Sequence, residues 1–140
     1  MQKSLFLHNK KDFILGRTGL VFLNHNNILL LYYKERYKLP ISKTAYYIYN
    51  NRCCCGLEYY NDGLWWVDVC CEESVRGKSA VKSFNLIRQF FTMLFYVKGY
   101  LGLISKENKA ARVNARLCGF RYFRDIEVKG EVKRLYIRSG

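Results

Sequence analysis

The sequence predicts an α/β (α+β) domain built on a mixed, mainly antiparallel central sheet flanked by helices. Three observations carry that expectation. Residues 44–71 hold three β-rich runs separated by turn residues. Ala80, Phe84, Ile87, Phe91 and Leu94 recur at the spacing of one helix face. From Tyr100, a short apolar run, an Asn, a polar segment and Gly119 read as strand, cap, helix and stop. With 140 residues, half of them apolar, and one proline, the chain is expected to form a single domain over 1–140. Residues 43–140 are expected to be its core, and 1–42 a helical region that precedes it.

Ser4–His8 reads as a first strand. In Thr18–Lys38 the apolar residues Leu20, Val21, Leu23, Ile28, Leu31 and Tyr32 have partly helical spacing. Asn24-His25-Asn26-Asn27 interrupts it, so one or two helices are expected there, ended by Pro40. Thr44–Tyr49 and Arg52–Tyr60 read as strands joined at Asn50-Asn51. Asn61-Asp62-Gly63 is the next turn, and Leu64–Cys71 the third strand of a meander. A polar loop with Gly77 precedes a helix from Ser79 to about Val97, stopped by Gly99. Tyr100–Ser105 is a strand, Asn108 an N-cap and Lys109–Cys118 a helix. Phe120–Glu127 and Glu131–Arg138 close the chain as strands around Lys129-Gly130.

The net charge of +13 suits a polyanionic partner: a nucleotide cofactor, a nucleic acid or an acidic protein. It equally suits a solubilising face. The longest apolar runs, Ile28–Tyr33 and Met93–Val97, fall far short of the roughly 20 residues of a membrane span. No signal-peptide pattern opens the chain, so a cytoplasmic protein is expected. The six cysteines lack CxxC spacing, and His8 and His25 lie far from them, so no zinc site is expected. They read as reduced, mostly buried thiols, with each cluster split between core and outside. Gly77-Lys78-Ser79 imitates the end of a Walker loop, but Glu72 stands where that motif needs glycine. Trp65-Trp66 reads as strand packing. The tyrosines of residues 46–60 suit a strand, and otherwise an aromatic substrate wall or a base-stacking platform.

The chemistry concentrates after Cys71. A basic loop with Arg76, Lys78 and Lys82 leads into a helix N-terminus, where unpaired N–H groups favour a phosphate. The order of meander, Arg-Gly-Lys-Ser-Ala-Val loop, long helix, strand, Asn-capped helix and Gly-Phe resembles the GNAT (GCN5-related) N-acetyltransferase superfamily. The family's cofactor loop, Arg/Gln-x-x-Gly-x-Gly/Ala, is met by Arg76, with Ser79 and Val81 at its later positions. Its Asn-x-x-Ala-x7-Gly-Phe pattern is met by Asn108, Ala111, Gly119 and Phe120. The chain is similar to small, cysteine-rich, divergent members of the kind found among bacteriophage proteins.

That resemblance, over residues 64–127, implies acetyl-CoA as cofactor and acetyl transfer to an amine. The acceptor would be a small molecule, a peptide or an aminoacylated RNA. A pantetheine arm would pair with backbone near Val69 and Cys71, and residues Arg76, Gly77, Lys78, Ser79, Ala80 and Val81 would hold the pyrophosphate. Asn108 would touch the pantetheine or thioester, and Glu72 or Glu73 could act as base through water. Asp68 is a further nearby acid. Many members carry a tyrosine as general acid where this chain has Ala115. A GNAT-like interaction module without turnover, and a basic nucleic-acid binder, are the alternatives.

Overall fold

A computed structural model describes residues 19–140, together with a backbone strand at residues 13–15. The elements are β1 (Phe13–Leu15), β2 (Leu20–Leu23), α1 (Ile28–Tyr37), β3 (Tyr46–Asn50), β4 (Cys53–Asn61) and β5 (Leu64–Cys71). Then follow α2 (Lys78–Leu94), β6 (Gly99–Ser105), α3 (Lys109–Leu117), β7 (Arg121–Val128) and β8 (Glu131–Ser139). The strands form one sheet in the order β1-β2-β3-β4-β5-β6-β8-β7. Every pairing is antiparallel except β5 with β6. That parallel pair follows from its connection: α2 carries the chain back across the sheet, which no hairpin could do.

The expected strand at Ser4–His8 lies outside the described residues. The helical reading of Thr18–Lys38 is corrected in part. Leu20–Leu23 is a strand paired with β3, Val21 opposite Tyr49 and Leu23 opposite Tyr47. Leu20 joins one core cluster while Val21 and Leu23 join the other, so both faces are covered and the apolar run loses its alternation. The Asn cluster is the cap of a single helix. Asn27 Oδ1 accepts from the Leu29 N–H at 2.8 Å, and Asn27 N–H bonds Asn24 C=O at 2.9 Å.

Three hairpins set the registers. Asn51 and Arg52 have φ of 45° and 62°, Asp62 and Gly63 of 47° and 76°, and Lys129 and Gly130 of 51° and 79°. Paired left-handed residues of this kind match the twist of the flanking strands. The first turn is therefore one residue later than Asn50-Asn51.

Two cores sandwich the sheet. On one face Phe84, Ile87 and Phe91 of α2 pack with Leu57, Trp65, Val67 and Tyr100. On the other, Leu29, Leu30 and Tyr33 of α1 pack with Val21, Tyr47 and Cys54. α2 stops at Leu94, which is exposed, and Phe95 continues the packing by stacking on Phe91 at 4.4 Å. Trp65 Nε1 donates to Tyr96 C=O at 3.0 Å, and Lys98 N–H to Gly63 C=O at 2.7 Å. These bonds tie the start of β6 to the start of β5.

The cysteines correct a second expectation. Cys53, Cys54 and Cys55 are all buried, because β4 is covered on both faces. Cys53 and Cys71 sit directly opposite on β4 and β5, Cα atoms 4.1 Å apart, and are joined by a disulfide, so they are not free thiols. Cys54, Cys55, Cys70 and Cys118 are free. Among the described residues no helix is long and apolar enough to cross a membrane, and no group of three or more His, Cys, Asp or Glu could hold a metal ion.

Candidate active site

β5 and β6 pair only at Leu64–Gly99, Trp65–Tyr100 and Trp66–Leu101. Beyond that rung the strands part. β5 keeps β4 on its other edge as far as Cys71, and β6 keeps β8 as far as Ser105. They leave a V-shaped gap, and a cavity of about 490 Å³ occupies it. Val67, Val69 and Cys71 form one wall, and Gly102 and Ile104 the other. Ala80, Val81 and Phe84 of α2 with Ala111 and Ala115 of α3 close the side. Cys70 and Leu103 also line it, although both belong by alternation to the opposite face of the sheet. The opening therefore runs through the sheet.

The outer end of the cavity is basic. Arg76 lines it, donates from Nε to Cys71 C=O at 3.3 Å, and lies 6.0 Å from the centroid of the Tyr37 ring. Gly77 holds φ 93° and ψ −134°, a conformation reserved for glycine, and precedes α2 as its N-cap without a side-chain cap. The first i−4 bond of α2 is Val81 N–H to Gly77 C=O. The N–H groups of Lys78, Ser79 and Ala80 precede it and carry the positive end of the helix dipole. These residues form the first turn of α2, whereas the sequence placed the helix start at Ser79. A second, shallower cavity of about 550 Å³ between α2 and α3 has Lys78, Lys82 and Asn85 in its wall.

Asn108 lines the main cavity and caps α3, its Oδ1 accepting from Ala111 N–H at 3.1 Å. Ala115 also lines the cavity, so no hydroxyl arises at that position. Glu72 and Glu73 do not line it. Glu72 accepts from the Tyr33 hydroxyl at 3.4 Å, and Glu73 opens a 3₁₀ turn. Both stand at the loop end of β5, away from the rung where the gap begins.

Two residues escaped the sequence reading. Tyr136 lies opposite Gly102 on β8, lines the cavity, and its hydroxyl has no hydrogen bond among the described residues. No local motif marks it; only the β6–β8 register brings it in. Tyr37, at the end of α1, enters through the Arg76 contact. The free thiols in the wall are poor nucleophiles: burial pushes Cys70 and Cys118 up to about 11 each.

The sequence matches no protein-family model and no curated protein. Solved structures do match. A ribosomal-protein-S5-alanine acetyltransferase from Vibrio fischeri superposes with TM-score 0.58 at 11% identity, over 79% of this chain and 67% of that one. A spermidine N-acetyltransferase chimera from Vibrio cholerae gives 0.58 at 12%, over 80% and 75%. An aminoglycoside acetyltransferase in complex with coenzyme A gives 0.55 at 14%, over 68% and 65%. The fold is the acyl-CoA N-acyltransferase fold of the GNAT acetyltransferases. The chain spans about two thirds to three quarters of the length of these proteins.

Proposed function

We propose that the protein is an acetyl-CoA-dependent N-acetyltransferase. The observation that carries this reading is the ladder of β5 and β6, which stops after three rungs and leaves a cavity ending at a basic helix N-terminus. An extended pantetheine arm can pair with the strand edge that β5 exposes beyond Trp66, near Val69 and Cys71. Arg76, with the backbone of residues 77–81, is suited to the pyrophosphate. Lys78 and Lys82 extend positive charge towards the nucleotide end.

Acetyl-CoA supplies the activated thioester; the residues bind, orient and move protons. Asn108, beside the outer end of β6, contacts the pantetheine arm while it caps α3. Tyr136 supplies the hydroxyl that Ala115 lacks, and protonates the departing thiolate. Glu72 and Glu73 are assigned to holding the loop end of β5 rather than to proton abstraction.

The test is a thermal melt with acetyl-CoA, followed by thiol release across an amine panel. Acetyl-CoA at 100 times its dissociation constant should add about 2.7 kcal/mol. No shift at millimolar cofactor sinks the reading. A shift without thiol release for any amine makes the protein a cofactor-binding module.

A further inference from the structure

The cavity opens through the sheet to its far face at Cys70 and Leu103. By alternation Trp66, Asp68 and Cys70 share that face, and Cys70 Sγ meets the Tyr37 carbonyl of α1 at 4.0 Å there. Glu58 is the direct cross-strand partner of Trp66. Tyr60 meets the Trp66 ring edge-to-face at 5.5 Å, and its side of the bulge is half exposed. Asp68 lies between Trp66, the last paired residue, and Cys70, which lines the opening. An aromatic surface therefore leads to two carboxylates on the sheet face where Cys70 and Leu103 meet the cavity, although neither acid lines the cavity itself.

The two acids differ in commitment. Glu58 accepts through Oε2 from the hydroxyls of Ser42 (3.0 Å) and Thr44, leaving Oε1 open. Asp68 as a residue is exposed, and its carboxylate makes no hydrogen bond or ion pair among the described residues. Even so, crowding protein atoms raise its pKa, Glu58 adds to the rise, and Lys133 across the gap opposes it. A carboxylate without a partner among the described residues, two positions from the cavity wall at Cys70, is suited to meet a cation there.

We propose that this face is the acceptor site, and that it takes a monocationic primary alkylamine on an aromatic body. Trp66 and Tyr60 hold the body, and Asp68 with Glu58 holds the ammonium. The proposal rests on the acetyltransferase reading and names its substrate class. Charge selects the class. The chain carries +13 overall, which repels polycations, while these two carboxylates repel a carboxylate beside the amine. Asp68 takes one proton from the ammonium, the amine nitrogen bonds to the acetyl carbonyl carbon, and the carbon–sulfur bond breaks. The nitrogen's second proton reaches the thiolate by way of the Tyr136 hydroxyl, and an acetamide, CoA and the proton on Asp68 remain.

The experiment is calorimetric titration of 2-phenylethylamine into protein saturated with CoA, which cannot react. Phenylalanine and spermidine are the comparators. Saturable binding of phenylethylamine is expected, at least tenfold tighter than either comparator. It should weaken at least tenfold in Asp68→Asn and in Trp66→Leu, with CoA affinity in both variants unchanged. CoA binding without phenylethylamine binding overturns the proposal and leaves the acetyltransferase reading standing. So does equal binding of the comparators, or indifference to both substitutions. Absence of CoA binding overturns the acetyltransferase reading itself, and the substrate proposal with it.

Discussion

Trp66 and Leu101 form the last rung that joins β5 to β6. Two residues further on, Asp68 still pairs with Gly56 on β4, but nothing faces it from β6. The cavity exists because one strand is held on one side only. Its start is set by contacts at the opposite end of the strands, where Trp65 and Gly63 hold the chain leaving α2.

The narrow part of the gap should be sensitive to bulk. Ala111 lines the cavity from the first turn of α3, and a larger side chain there meets the arm rather than the core. Ala111→Trp is expected to weaken acetyl-CoA at least tenfold, a change of about 1.4 kcal/mol. Circular dichroism should show the fold unchanged. Unaltered affinity in a folded variant means that the cofactor lies elsewhere.

Arg76 should matter more than other surface cations. A charge-assisted bond to phosphate is worth about 1.5–3 kcal/mol, so Arg76→Ala should weaken acetyl-CoA about ten- to a hundredfold. Lys98→Ala is the control, since Lys98 pairs with Asp62 at 3.1 Å on the exposed β4–β5 turn. Equal effects from the two substitutions would reduce Arg76 to a contributor of general charge. Calorimetry at two salt concentrations separates these outcomes.

Most of the fold from residue 43 onward was legible in the sequence because local signals agreed with one another. Turn residues, strand formers and the Asn108 cap each pointed to the observed element. Leu20–Leu23 was illegible for a physical reason: a strand covered on both faces has no alternation, and a short apolar run reads equally as helix. In the site, Arg76 and Asn108 were found because their roles are local, a loop and a cap. Tyr136 was missed because it reaches the cavity only through pairing with a strand more than thirty residues earlier. The cysteine pair Cys53–Cys71 was missed for the same reason, since register across the β4–β5 hairpin, not spacing, brings it together.

Tyr136 provides a kinetic prediction. A proton donor to the leaving thiolate acts in the transition state and contributes little to ground-state binding. Tyr136→Phe keeps the ring, which sits 5.9 Å from Tyr122, and removes only the hydroxyl, which has no hydrogen bond among the described residues. It should lower kcat by about 100-fold or more while leaving the KM for acetyl-CoA near its original value. A variant as active as the parent would assign protonation to water.

Asp68 should leave a signature in stability, independent of any substrate. Its pKa is raised in the folded protein by burial first and by Glu58 second, with Lys133 opposing. In the unfolded chain the same carboxyl titrates in the ordinary range. Between the two values the native state holds more protons than the unfolded state, so stability falls as pH rises through that window and stays lower above it. Asp68→Asn removes this contribution. The variant should melt above the parent at neutral pH, and the difference should shrink as the pH is lowered towards the ordinary carboxylate range. Tm measured for both proteins from about pH 4 to 8 provides the comparison. A Tm difference that does not change with pH would mean that the carboxylate is not desolvated. The expected pattern would show a residue kept at a cost in stability, as befits a group whose value lies in the amine it meets.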